Sequence, residues 1–117
     1  MKREEALELV NKMVPQSNLV KHMLAAEAVM RALARRFGED EEKWGLAGLL
    51  HDVDYAETYD KPEIHALRSA EILRERGVDG EIIDAILGHN DKAERKTLMA
   101  KALYPVDPLT GFLVACA

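Results

Sequence analysis

Asp40-Glu41-Glu42-Lys43-Trp44-Gly45-Leu46-Ala47-Gly48-Leu49-Leu50-His51-Asp52 is the stretch on which the fold turns. Trp44, Leu46, Ala47, Leu49 and Leu50 leave a helix almost no polar face, so it must sit at the centre of other elements rather than on a surface. Asp40 suits the start as a cap, accepting from a backbone N–H that has no helical partner. At its far end the helix delivers His51 and Asp52 from within apolar surroundings. A carboxylate there is costly and calls for a cation, a metal or a changed pKa.

The flanking segments supply the enclosing elements. Residues 3–14 carry Ala6, Leu7, Leu9, Val10, Met13 and Val14 near one side, and Pro15 ends that helix. Leu19, Met23, Ala26, Met30, Leu33 and Phe37 recur at helical spacing between a Ser17 or Asn18 cap and Gly38. Beyond the central helix, residues 53–61 lack periodicity and read as a polar loop, after which Pro62 opens a fourth helix running to Arg76 and closed by Gly77. Asp79 begins a fifth, through Ile82, Ile83, Ala85, Ile86 and Leu87 to His89, with Asn90 and Asp91 as exit residues. The last helical pattern runs from about Ala93 to Ala117, and Pro105 and Pro108 predict a kink or break around Asp107. The reading is an all-α bundle of about five to seven helices, a single domain over residues 1–117. A composition poor in aromatics and rich in Ala, Leu, Glu, Lys, Arg and Met agrees.

A net charge of -5, with bases interspersed among acids, argues against a nucleic acid duplex or an anionic membrane as partner. No apolar run approaches the ~18 residues of a membrane span. Cys116 is the sole cysteine, which excludes an intrachain disulfide and points to a reducing, cytoplasmic location. The end, Gly111-Phe112-Leu113-Val114-Ala115-Cys116-Ala117, is apolar and lacks a stop signal. Three readings stay open for it: a shortened form of a longer protein, a tail packed into its own core, or a homo-oligomer contact.

Five groups point into one interior. His22 lies on the stripe of Leu19 and Ala26, His89 on that of Ile82 and Ile86, and His51 ends the most apolar helix. His65 falls at the edge of the stripe Ala66, Leu67, Ala70 and Leu73, and Asp107 lies amid Leu103, Leu109, Phe112 and Leu113. A lone inward histidine is more often a core residue bonded to a backbone carbonyl, and for His22 or His65 in isolation that reading stands ahead. Asp52 and Asp107 resist it, because no arginine shares their stripes, and a metal is the economical partner for the set. Imidazole and carboxylate without thiolate suit first-row divalent ions, namely Fe, Mn, Zn, Co or Ni. Four histidines and two aspartates exceed the needs of one ion, so two ions bridged by Asp52, ~3.5–4 Å apart, fit better.

The order His22, His51-Asp52, Asp107 resembles the H…HD…D signature of the HD superfamily of metal-dependent phosphohydrolases, which are all-helical. The contexts Lys21-His22-Met23-Leu24-Ala25-Ala26-Glu27, Gly45 to Asp52, and Ala102-Leu103 agree, and the likeness covers roughly residues 18 to 114. His65 and His89 are similar to the extra histidines of subfamilies that hold two metals. The resemblance implies one ion held by His22, His51, Asp52 and Asp107, and a second by Asp52, His65 and His89. Tyr55 stands where some members carry a catalytic lysine. On the residues' own chemistry, Asp54 is a candidate for orienting a water or acting as general acid beside Asp52, and equally for capping the loop. Lys61, Arg68 and Lys92 are weaker candidates for meeting a substrate phosphate. The expected activity is hydrolysis of a nucleotide or other small phosphorylated metabolite. The alternatives are a mixed-valent di-iron oxygenase of the HD type and a non-catalytic metal-binding HD module.

Overall fold

The computed structural model describes residues 1–116. Those residues form seven α-helical segments and no strand: α1 (Arg3–Met13), α2 (Ser17–Phe37), α3 (Glu41–Leu50), α4 (Tyr55–Thr58), α5 (Leu67–Glu75), α6 (Gly80–His89) and α7 (Leu98–Cys116), with a 3-10 turn at Pro62–Ile64 between α4 and α5. The expected all-α architecture is therefore observed. No helix among the described residues is long and apolar enough to cross a membrane.

Every residue from Trp44 to Leu50 is buried, and α3 packs against α1, α2, α6 and α7. Met23, Ala26 and Met30 of α2, Ile82 and Ile86 of α6, and Ala100 and Leu103 of α7 close the core around it. Each fully buried Leu, Ile or Met contributes roughly 1.5–3 kcal/mol of transfer free energy, so this enclosure is what holds α3 in place. α2 and α3 approach each other closely at Gly48. A Cβ on Gly48 would stand 2.6 Å from the carbonyl oxygen of Ala26 and 2.9 Å from the Cα of Glu27, so only glycine lets the two backbones touch. Glu27 is itself buried and is neutralised by Arg3 (2.7 and 2.9 Å) and Arg31 (3.1 Å), which ties α1 to α2.

The caps at Asp40 and Asp79 form as anticipated, accepting from Lys43 N at 3.1 Å and Glu81 N at 2.8 Å. Gly38 takes the left-handed conformation that ends α2. At α2's start neither Ser17 nor Asn18 caps; Gln16 is the boundary residue, and it makes no side-chain cap bond.

Three further expectations fail. The stretch 53–61 is not simply a polar loop, because α4 lies within it and Val53, Asp54 and Thr58 are buried. The helix expected over Pro62–Arg76 is broken: after the 3-10 turn His65 is extended (ψ 140°), Ala66 has φ +70°, and the regular helix starts only at Leu67. The break has a tertiary cause, since the amides of Ala66 and Ser69 turn to the carboxylate of Asp54 (2.8 and 3.0 Å). Finally, the last helix begins at Leu98 and shows no break at its prolines. Pro105 and Pro108 remove the donors for the carbonyls of Lys101 and Tyr104, and all four residues are exposed, so water can serve those oxygens.

Candidate metal centre

Each of the four histidines has its Nδ1 fixed by an acceptor. His51 caps the end of α3 and donates to Gly48 O at 2.7 Å; His89 ends α6 and donates to Ile86 O. Both carbonyls lie in a last helical turn, where the helix supplies no N–H of its own. His22, within α2, meets Thr110 Oγ1 of α7 at 3.2 Å, and since the Thr110 hydroxyl donates to Val106 O (2.8 Å), its oxygen is left to accept. His65, in the break before α5, donates to Asp54 Oδ1 at 2.7 Å. With Nδ1 carrying the proton on all four rings, four Nε2 atoms are left facing inward.

Asp52 stands between them and divides its carboxylate. Oδ2 faces His22 Nε2 (3.1 Å) and His51 Nε2 (3.5 Å), whereas Oδ1 faces His65 Nε2 (3.0 Å) and His89 Nε2 (3.3 Å). Asp107 Oδ1 closes the first group, at 3.0 Å from His22 Nε2 and 2.9 Å from His51 Nε2. Two sets of ligand atoms result, His22, His51, Asp52 and Asp107 on one side and Asp52, His65 and His89 on the other, each with its atoms within 4.8 Å of one another. All six metal-binding candidates read from the sequence thus converge.

The chemistry of the donors fits a divalent cation. His22 Nε2 and His51 Nε2 are 3.1 Å apart, a separation that two lone pairs tolerate only with a proton or a cation between them. Burial opposes the charge on His22, yet its bonds to Asp107 and Asp52 push it up to about 9. Burial likewise opposes charge on His65, but Asp52 and Asp54 push it up to about 9 as well. Asp52 and Asp107 are held well below the usual carboxylate range, because the neighbouring histidines outweigh the burial that would raise them. The cluster therefore demands positive charge, and imidazole with carboxylate is a donor set for a first-row divalent ion.

A cleft of about 900 Å³ opens onto His22, Asp52, His65 and Asp107, and its other polar walls are Asn18, Lys21, Tyr55 and Asn90. Asp54 is fully buried behind the cluster and is not part of that wall. The three basic candidates from the sequence are not brought to the cleft either. Arg68 pairs with Glu57 (3.0 Å) and Glu71 (3.4 Å), Lys61 is exposed on the surface, and Lys92 borders the site only by donating to Asn90 Oδ1 at 2.7 Å. Lys21 is not among the sequence candidates, although Asn18, Lys21 and His22 have the i, i+3, i+4 spacing of one helix face. Thr110, Ser69 and Thr58, the polar supports of the cluster, carry no comparable local signal.

The HD domain family model matches residues 19–111. Among curated proteins, Ribonuclease Y of Nitratidesulfovibrio vulgaris (strain DP4) is 33% identical over 94 residues, covering 80% of this chain and 18% of that protein. Ribonuclease Y of Oleidesulfovibrio alaskensis is 30% identical over 94 residues, with the same coverage, and Ribonuclease Y of Mycoplasma mycoides is 31% identical over 94 residues, which is 22% of its length. The chain thus spans about a fifth of the length of these relatives. No solved structure matches. With the histidine and aspartate cluster in place and the family match running over most of its length, the chain belongs to the HD domain family.

Proposed function

We propose that this HD-domain chain is a metal-dependent phosphohydrolase that acts on a nucleotide or another small phosphate ester, with two divalent ions bridged by Asp52. The observation that carries the reading is the divided carboxylate of Asp52, with an imidazole pair on each oxygen. His22, His51, Asp52 and Asp107 would hold one ion, and Asp52, His65 and His89 the other. Ions in these positions would supply Lewis-acid charge on the phosphoryl oxygens and a nucleophile from water.

The chain's own groups do the rest by position. Lys21 and Asn18 stand on the cleft wall beside His22 and would meet the phosphate oxygens that the ions leave free. Tyr55, edge-on to His65 at 5.8 Å between ring centres, offers an aromatic wall for a base. A volume of about 900 Å³ suits one nucleotide, within the roughly 300–1,000 Å³ usual for ligand pockets. The name Ribonuclease Y borne by the relatives favours including RNA phosphodiesters among the substrates, while the net charge of -5 weighs against a long polyanion.

The test is turnover of mono-, di- and cyclic nucleotides and a short single-stranded RNA by manganese-loaded protein, followed by chromatography. Asp52→Ala, which removes a ligand from both ions, is expected to fall to background. Equal rates for the two proteins would refute the proposal.

A further inference from the structure

Asp54 is fully buried, does not reach the cleft, and has both carboxylate oxygens engaged. Oδ1 accepts from His65 Nδ1 at 2.7 Å; Oδ2 accepts from the amides of Ala66 (2.8 Å) and Ser69 (3.0 Å) and so caps α5 from fifteen residues upstream. The residue's main chain is clamped as well. Its N–H donates to Ser69 Oγ at 3.2 Å, and its carbonyl accepts from Thr58 Oγ1 at 3.0 Å. Ala66 takes φ +70°, a conformation that costs an L-residue about 1–3 kcal/mol, and that turn is what brings its N–H onto Asp54 and His65 Nε2 to 3.0 Å from Asp52 Oδ1.

We propose that Asp54 is a positioning residue for the second metal ion: by holding the proton of His65 on Nδ1 and the ring in place, it leaves the Nε2 lone pair free to bind metal. This deepens the two-ion reading above and rests on it. The geometry fixes what a near-isosteric change would do. In Asp54→Asn, the amides of Ala66 and Ser69 can only donate, so the new side chain must turn its oxygen to them. Its NH2 then faces His65 Nδ1, which must become the acceptor. The ring proton moves to Nε2, where it points at the metal position. Shape and helix cap survive, and the ligand is lost.

Zinc titration by calorimetry reads this directly. Wild-type protein is expected to take up two equivalents, and Asp54→Asn to bind the second about 10–100-fold more weakly with the first unchanged. Adding Asp54→Asn to His65→Ala is expected to weaken the second equivalent no further, because the residue acts through that ring. A single equivalent in the wild type, two unaltered equivalents in Asp54→Asn, or an equal further loss in the His65→Ala background would each overturn the proposal. Nitrogen-15 spectra of unmutated, zinc-loaded protein do not depend on the variants folding: His65 must carry its proton on Nδ1 and the metal on Nε2, and the reverse would overturn it. These readouts are separate from turnover, so a protein that binds two zinc ions, the second dependent on Asp54 through His65, and hydrolyses nothing would defeat the phosphohydrolase reading alone.

Discussion

Replacing Gly48 by alanine should damage the fold and the metal centre together, by a route that involves no ligand. The added Cβ would lie 2.6 Å from Ala26 O, 2.8 Å from Ala26 C and 2.9 Å from Glu27 Cα, where ordinary contact begins at 3.4 Å. These are backbone atoms of α2, so no side chain can swing aside, and α3 must retreat by roughly 0.8 Å from a close-packed neighbour. Overpacking of this kind costs up to about 3 kcal/mol, and the better helix propensity of alanine returns about 1 kcal/mol, leaving about 2 kcal/mol of destabilisation. For a chain of this size that lowers the melting temperature by roughly 6–12 °C. The same shift carries His51 and Asp52 away from His22 on α2, beyond the ~0.5 Å within which a binding constellation keeps its geometry. Zinc affinity should therefore drop at least about tenfold. Gly111→Ala is the internal control, because its Cβ would meet nothing closer than His22 Cε1 at 3.7 Å; it should be neutral or stabilise by about 0.4–1 kcal/mol. Scanning calorimetry of both metal-free variants, with zinc titration, decides the matter. A Gly48→Ala protein that melts at or above the wild type and binds zinc unchanged would refute the reasoning.

Ala66→Gly should leave the melting temperature unchanged or raise it by a few degrees, since removing the Cβ relieves about 1–3 kcal/mol of strain at φ +70° against about 0.5–1 kcal/mol of chain entropy and about 0.8 kcal/mol for the buried methyl; a fall of more than a few degrees would mean that the turn is not strained. In metal-free protein His22 and His65 have folded pKa values of about 9, above the ~6.5 of an unfolded histidine, so their stabilisation is complete below pH 6.5 and lost as pH rises through 9. The metal-free melting temperature should fall over that interval while zinc affinity climbs, as fewer protons have to be displaced, and a flat profile in both measurements would contradict the charge balance described for the cluster.

Local rules carried the reading of α1, α3 and α6, whose apolar spacing and turn signals agree with their packing, and most of α2, where the Ser17 or Asn18 cap does not form and Phe37 is exposed. They failed where a distant group overrides the local preference. Pro62 and the apolar residues after it are a sound helix signal, yet the amides of Ala66 and Ser69 serve a carboxylate on the far side of α4, and no nearby residue announces that cap. For the same reason the stretch holding Asp54 and Thr58 passes for a solvated loop. Asp54 and Thr58 are buried because they satisfy His65 and one another, and composition cannot distinguish a polar group facing water from one facing a partner. At Pro105 and Pro108 the rule against helix interiors gives way because the carbonyls deprived of donors belong to exposed residues.

The metal centre divides along the same line. His51 and His89 take their Nδ1 acceptors from three residues back on their own helices, so each finds its anchor locally and presents Nε2 forward. His22 and His65 cannot, and their anchors lie 88 and 11 residues away, on Thr110 and Asp54. Stripe positions therefore sufficed to list the residues that converge, whereas the tautomers that leave their Nε2 atoms facing inward depend on contacts that exist only once α7 and the segment from α4 to α5 have docked. The cluster is assembled by the fold rather than by its motif. Each of the two candidate ligand sets contains one locally anchored histidine and one anchored across the fold, so binding of either proposed ion would be coupled to the docking of a different part of the chain.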